Sequence, residues 1–438
     1  MDPLVLGGIV ALATILVLFS GVSVAMGLLI VSAGFLIVFD GMRSLELMPE
    51  ILFGKLDDFA LLSIPMFIIM GASIASTRAG ADLYEALERW LTRIPGGLVI
   101  SNLGACALFA AMSGSSPATC AAIGKMGIPE MRKRGYPDGV AAGSIAAGGT
   151  LGILIPPSVT MIVYGIATET SIGRLFLAGV IPGFLLVGLF MAWSLYSTWR
   201  SGDAAVLNAG SYTWKERFEI LPRVLPFLAI ILGVLYAMYG GIATPSETAA
   251  VGALLCLVIA MVIYKLWHPG AIWVVLRDST KESVMILFII AAAGVFSYML
   301  SSLFITQSIA EWIGTLEVNR WVLMLCINIF LLIAGFFLPP VAVILMAAPI
   351  LLPIILTAGF DPIWFAVVLT INMEIGLISP PVGLNLYVIN GIAPDISLKT
   401  ILTGSLPFVA CMVLAIILLC LFPGLATWLP DVVMGTAV

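Results

Sequence analysis

Residues 113–129 read S-G-S-S-P-A-T-C-A-A-I-G-K-M-G-I-P, and after a basic turn residues 146–164 read A-A-G-G-T-L-G-I-L-I-P-P-S-V-T-M-I-V-Y. Both stretches are apolar enough for a bilayer. Both also carry clusters that stop a helix, Ser113–Pro117 and Gly148–Ser158. A lipid-facing backbone cannot leave its N–H and C=O groups unpaired, so broken backbone at membrane depth is buried in protein or lines a polar cavity. The two breaks mark the place to look for a transport site.

The surroundings fit that reading. Of 438 residues, 61% are apolar and 10% charged, and the mean hydropathy is +1.18. A soluble chain carries about 25% charged residues. Apolar runs of roughly 20 residues recur from end to end, which predicts an all-α polytopic membrane protein. The net charge of −5 says little, because placement of charge outweighs its sum in a membrane protein. Six cysteines lie in apolar runs without C-x-x-C spacing and read as small buried hydrophobes. His268, the single histidine, cannot make a multi-histidine metal site. The N-terminal segment has no basic flank and no clear cleavage site, and reads as a retained membrane segment.

In order, Leu4–Phe39 is too long for one span and breaks near Gly21. Phe59–Ser76 is a span. Arg78–Arg93 reads as an amphipathic interfacial helix. Residues 95–131 fit a re-entrant helical hairpin with its tip at S-G-S-S-P, closed by the basic turn Arg132–Arg134. Residues 139–168 form two half-helices separated by Pro156-Pro157. Gly173–Trp199 is a span, and Arg200–Arg223 a polar loop. Two spans follow, then a second amphipathic connection, Lys265–Glu282, and the span Ser283–Phe304. Residues 321–357 repeat the hairpin around Pro339-Pro340. Residues 362–391 repeat the split helix around Pro380-Pro381, and Ile401–Phe422 is the last span.

The halves superpose at a spacing of 224: Pro129 falls on Pro353, Gly135 on Gly359, Gly152 on Gly376, Pro156 on Pro380 and Pro157 on Pro381. Paired broken segments in corresponding halves point to a transporter binding site. The positive-inside rule sets their orientation. With Arg132–Arg134 in the cytoplasm, fourteen lysines and arginines fall on that side and only Arg43, Lys55, Arg174 and Arg320 on the other. The second hairpin's turn, Thr357–Asp361, then lies outside, so the repeat is inverted. The division is a first repeat over 1–200, a cytoplasmic loop over 201–223 and a second repeat over 224–438.

S-G-S-S-P-A-T, the G-G-T-L-G-I-L-I-P-P-S block, G-I-A-T-P-S-E-T-A-A (Gly241–Ala250) and E-I-G-L-I-S-P-P-V-G-L-N (Glu374–Asn385) resemble the large membrane (M, DctM-like) subunit of TRAP transporters, within the ion-transporter superfamily. The resemblance runs over essentially the whole chain. It implies an inverted-repeat elevator-type transporter in the bacterial or archaeal inner (cytoplasmic) membrane, and sodium-coupled uptake of a small organic anion such as a C4-dicarboxylate or a sialic acid. It further implies two partners: a small Q-type membrane subunit of four helices and a periplasmic substrate-binding protein. The second hairpin tip departs from the first, with Pro-Pro where the first has serines.

Site residues follow from the breaks and the resemblance together. Ser116 before Pro117 reads as a helix N-cap, aiming free N–H groups at the membrane centre, where they suit a carboxylate. Sodium, the expected coupling ion and the only cofactor expected, prefers oxygen ligands, which broken backbone and hydroxyls provide. The first sodium site is assigned to Ser113, Gly114, Ser115 and Ser116 with Gly148, Gly149 and Thr150. The mirror site is assigned to Phe337, Leu338 and Pro339 with Asn372, Met373 and Gly376. Ser115, Ser116, Thr119, Ser158, Tyr164 and Asn385 are candidate substrate contacts. Small residues at these positions would also serve tight helix packing.

Glu374 reads as a sodium ligand, as neutralising charge near the site or as holding broken backbone, the last two favoured; Glu247 reads as helix capping, and Lys125 as snorkelling or pairing rather than binding substrate. The chain lacks H-E-x-x-H, G-x-S-x-G and a P-loop lysine, so an enzyme is not expected. The competing reading is a standalone sodium/anion symporter of a related inverted-repeat family.

Overall fold

A computed structural model describes residues 1–91, 94, 96–201, 212–315 and 318–435. The described chain is helical throughout. The first half contains α1 (Pro3–Phe19), α2 (Val24–Asp40), α3 (Leu47–Leu56), α4 (Ser63–Ala75), α5 (Ala79–Leu91), α6 (Gly97–Ser113), α7 (Ser116–Lys133), α8 (Asp138–Thr150), α9 (Val159–Thr168) and α10 (Ile172–Ser201). After a short α11 (Trp214–Glu219), the second half contains α12 (Leu221–Tyr239), α13 (Pro245–Tyr264), α14 (Pro269–Ser302), α15 (Ile305–Thr315), α16 (Arg320–Phe337), α17 (Pro340–Thr357), α18 (Pro362–Leu377), α19 (Leu384–Ile392), α20 (Leu398–Leu421) and α21 (Gly424–Met434). Among the described residues seven helices are long and apolar enough to cross a membrane, or eight if a bent pair counts as one span.

The breaks fall where the sequence places them, and local chemistry says why. Gly21 and Gly114 take positive φ (86° and 57°), which a side chain resists. Pro117, Pro340 and Pro362 sit at helix starts, where a missing N–H costs nothing. Asp361 accepts from the N–H groups of Ile363 and Trp364 to open α18. Thr244 and Glu247 form a reciprocal capping box at the start of α13, the role read for Glu247. Pro156-Pro157 and Pro380-Pro381 are both cis.

The 224-residue register holds from α1 with α12 through α10 with α20, with α3 and α4 together answering to α14. Helix contacts recur in the same pairs: α7 packs on α19 and its register mate α17 on α9, while α4 packs on α13 and α14 on α2. The two halves are therefore interlocked. α8 and α20 touch backbone to backbone, because a Cβ at Gly143 would fall inside the Gly404 carbonyl group. Close approach of this kind is how helices associate where lipid removes the hydrophobic drive.

Three expectations are corrected. The connection Lys265–Glu282 is not separate from the next span: residues 269–302 form one helix, about 51 Å long at 1.5 Å per residue. Its mate is broken at Asp57-Asp58, where α3 and the segment containing α4 meet at 61°. The register partner of α5 is α15, which the sequence reading left unassigned. Nor do all the charges of α5 face solvent. Asp82 accepts from Tyr264 Oη at 2.7 Å and faces Arg223, and Glu88 pairs with Arg134 and accepts from Tyr212 Oη. The polar loop is shorter than expected, since α11 and the start of α12 occupy its second half; its residues 202–211 and Pro95 of the first hairpin lie outside the described residues.

Candidate functional site

A cavity of about 530 Å³ lies where the two hairpin tips meet the two split helices. Ser113–Ala118 line it from the first tip and Pro339–Ala342 from the second. Val159 and Thr160 at the start of α9 line it too, as does Leu384 at the start of α19. The N-termini of α7, α17, α9 and α19 thus open onto one space, and the start of α2 joins them through Ser23–Ala25. Ser115, the residue before α7, and Pro339, before α17, make no side-chain capping bond, so the N–H groups of both first turns are free of such caps. The cap of α7 is Ser115 rather than Ser116, which forms the first residue of the helix.

The first tip is held from several sides. A Cβ on Gly152 would sit 2.7 Å from the Ser115 carbonyl oxygen, and one on Gly114 2.9 Å from the Pro157 oxygen. Thr119 Oγ1 donates to the Ser115 carbonyl (2.8 Å) and lies 2.9 Å from Ser113 Oγ. Asn385 Nδ2 donates to Ser116 Oγ at 2.8 Å and to the Ala146 carbonyl at 3.1 Å. Ser113, Gly114, Ser115, Ser116 and Pro339 therefore line the cavity. Thr119 and Asn385 sit directly behind it.

The other candidates stand further back. Gly148 and Gly149 are buried against Cys106 and Cys120, and Thr150 Oγ1 donates to the Ala147 carbonyl. Ser158 caps α9, accepting from the Met161 N–H and donating to the Ile153 carbonyl. Tyr164 Oη donates to the Pro362 carbonyl at 2.9 Å, tying the split helices together away from the tips. In the second half, Gly376 and Met373 pack on Gly335 of α16. Leu338 is extended backbone after α16, and Phe337 is exposed, edge-on to Phe19. Asn372 Nδ2 donates to the Asn328 carbonyl (2.9 Å) and to Asn328 Oδ1 (2.8 Å). Lys125 is exposed.

Buried oxygens without a donor complete the picture. Among the described residues, Asn372 Oδ1, Asn385 Oδ1 and both carboxylate oxygens of Glu374 have no hydrogen-bond partner. For the two asparagines the N–H₂ groups are committed, so lone pairs remain that only a donor or a cation satisfies. Glu374 makes none of the backbone hydrogen bonds considered for it. Asn328 and Thr160 escaped the sequence reading. A lone Asn inside the apolar run of α16 was the available signal for the first.

A family model described as "Tripartite ATP-independent periplasmic transporter, DctM component" matches residues 10–425. The chain is 39% identical over 392 residues to the C4-dicarboxylate TRAP transporter large permease protein DctM of Pseudomonas aeruginosa, covering 90% of each. It is 33% identical over 435 residues to the isethionate TRAP transporter permease protein DctMQ of Oleidesulfovibrio alaskensis, covering 97% of this chain and 66% of that one. The crystal structure of the Alcanivorax borkumensis YdaH transporter shares the fold, with a TM-score of 0.68 at 17% identity over 94% of this chain and 98% of that one.

Proposed function

The chain belongs to the DctM component family of the tripartite ATP-independent periplasmic transporters, a multi-pass large permease subunit of the bacterial inner membrane, and from that premise we propose that it couples sodium entry to uptake of a small organic anion. The observation that carries the anion half is the convergence of the hairpin and split-helix N-termini on a cavity that, among the described residues, is lined by no cationic side chain. The first turns of α7 and α17, which carry no side-chain cap, and the positive dipole ends bind a carboxylate without a fixed counter-charge. The orphaned amide oxygens of Asn372 and Asn385 support the cation half, since oxygen acceptors with no donor suit a hard cation. Ser113–Ser116 with Gly148–Thr150, and residues 337–339 with Asn372, Met373 and Gly376, would hold sodium ions. Ser115 and Ser116 stand nearest the substrate, with Asn385 behind them.

The inverted repeat makes the hairpins re-entrant, and they move with the split helices as an elevator against α2, α4 and α14. The permease works with a periplasmic binding protein and a small membrane subunit. A C4-dicarboxylate, the substrate named for the Pseudomonas relative, is the first acid to try.

The test is uptake into proteoliposomes holding the chain, its small subunit and its binding protein, with a panel of labelled organic acids. Uptake that stops when external sodium is replaced by choline is expected. Sodium-independent uptake sinks the coupling. Uptake by this chain alone would favour the standalone symporter.

A further inference from the structure

The walls of the central cavity are apolar or hydroxyl-bearing with one exception, the carboxylate of Glu282 on α14. It closes a charged block, Arg277-Asp278-Ser279-Thr280-Lys281-Glu282, after which the helix turns apolar at Ser283-Val284-Met285-Ile286. That change of composition is where a helix passes from water into hydrocarbon. Glu282, Ile286 and Ile289 follow at i, i+4 and i+7 and present one face to the cavity. Along that face Glu282 lies about 10 Å before Ile289, at 1.5 Å per residue. The remaining wall comes from Ser23–Ala25 at the start of α2 and from Ile68–Ala72 in the second half of α4. In the threading set by the basic turn, all three segments belong to the cytoplasmic half of the membrane. Arg277 is taken by Asp278, and among the described residues no lysine or arginine forms an ion pair with Glu282.

We infer that Glu282 is a release residue at the cytoplasmic mouth of the transport cavity: its carboxylate repels an organic anion returning from the cytoplasm. The inference rests on the anion and sodium reading above. Low-dielectric walls focus the field of a single charge at a cleft mouth. The anion is held by helix dipoles at the tips and meets a like charge only on the cytoplasmic path. Glu282 thus weakens rebinding from inside, and makes net uptake faster relative to exchange.

The experiment uses proteoliposomes holding the complete transporter and compares the wild type with Glu282→Gln and Glu282→Asp. Two quantities are read: the internal substrate concentration that half-saturates counterflow, and the ratio of net uptake to counterflow. Glu282→Gln should lower the first and reduce the second, each about 2- to 5-fold, the size expected for one unit charge at about 10 Å in a mostly aqueous mouth. Glu282→Asp, keeping the charge, should stay near the wild type. Raising internal ionic strength with choline chloride should move the wild type toward Glu282→Gln, because screening acts within about 8 Å at physiological salt. This measurement decides the matter even if the Gln variant fails to insert. Wild-type values in Glu282→Gln, or a wild type indifferent to internal salt, overturn the inference. Absence of sodium-dependent transport in the wild type overturns instead the function on which it rests.

Discussion

Asn385 and Ser116 are 269 residues apart and joined by one hydrogen bond, Nδ2 to Oγ, of 2.8 Å. The second N–H of the same amide reaches the Ala146 carbonyl of α8. One side chain from the second split helix therefore fixes both the first hairpin tip and the first split helix. Asn385→Ala strands the buried Ser116 hydroxyl, which costs about 1–3 kcal/mol, whereas the Ala146 carbonyl keeps Cys120 Sγ as a partner. A lowered melting temperature of the purified protein is expected. A double-mutant cycle with Ser116→Ala should give a coupling of about 0.5–1.5 kcal/mol. Additive losses would show that the bond contributes nothing.

Ser115 and Ser116 separate ligand chemistry from packing. Ser115 makes no capping bond through its hydroxyl, whereas Ser116 accepts from Asn385. Ser115→Ala should keep the wild-type melting temperature and raise the sodium concentration for half-maximal uptake about 5-fold, the equivalent of about 1 kcal/mol for one lost oxygen contact. Ser116→Ala should lower both stability and uptake. An unaltered sodium dependence in Ser115→Ala removes that hydroxyl from the site.

Gly149 has a packing reason to be glycine. A Cβ there would overlap Cys120 Sγ, which faces the carbonyls of Ile145 and Ala146. Gly149→Ala should destabilise by about 1–3 kcal/mol through overpacking. Cys120→Ala in the same chain should recover part of that loss and of the uptake, because the sulfur is the atom in the way. Failure of the rescue would assign the glycine's need to its backbone instead.

These relationships show what the sequence carried. The breaks at Ser113–Pro117, Pro339-Pro340 and the two Pro-Pro pairs were legible because Gly and Pro act on their own backbone, and the 224-residue spacing then paired them. The Asn385–Ser116 bond was not legible as a contact, since nothing local records a partner 269 residues away. The same holds for α5. Its charges look like a solvated face, yet Asp82 and Glu88 are buried because Arg223, Tyr264, Arg134 and Tyr212 arrive from elsewhere in the chain. The continuity of α14 was hidden by its charged block, residues 277–282, although the helix carries no breaker between Gly270 and that block.

Glu88 gives α5 a pH dependence. Burial raises its carboxyl above the ordinary 4.5, outweighing the opposing pull of Arg134. A raised acid holds its proton more tightly in the folded protein than in the unfolded one. Its contribution is therefore greatest below 4.5 and declines as pH rises through the raised value. Glu88→Gln cannot titrate, and Arg134 keeps Glu130 as a partner. The melting temperature of the wild type minus that of Glu88→Gln should fall as pH rises from 4.5 toward neutrality. A difference that grows over that range would mean that Arg134 outweighs burial.

Glu374 supplies the sharpest separation of folding from function. Its side chain is fully buried in α18 and neither carboxylate oxygen has a partner. Glu374→Gln keeps the shape and breaks no existing hydrogen bond. Its stability should stay within about 1 kcal/mol of the wild type, because the cost of a polar substitution comes chiefly from partners left unpaired. Glu374→Ala removes buried volume as well, and should lose about 2 kcal/mol or more by analogy with other large-to-small core changes. Melting temperatures of both variants, read beside sodium-dependent uptake, decide the role. Gln with wild-type stability and impaired uptake makes the carboxylate a working group of the transport cycle. Gln with a large loss of stability would reveal a structural partner for the carboxylate, and that outcome defeats the prediction.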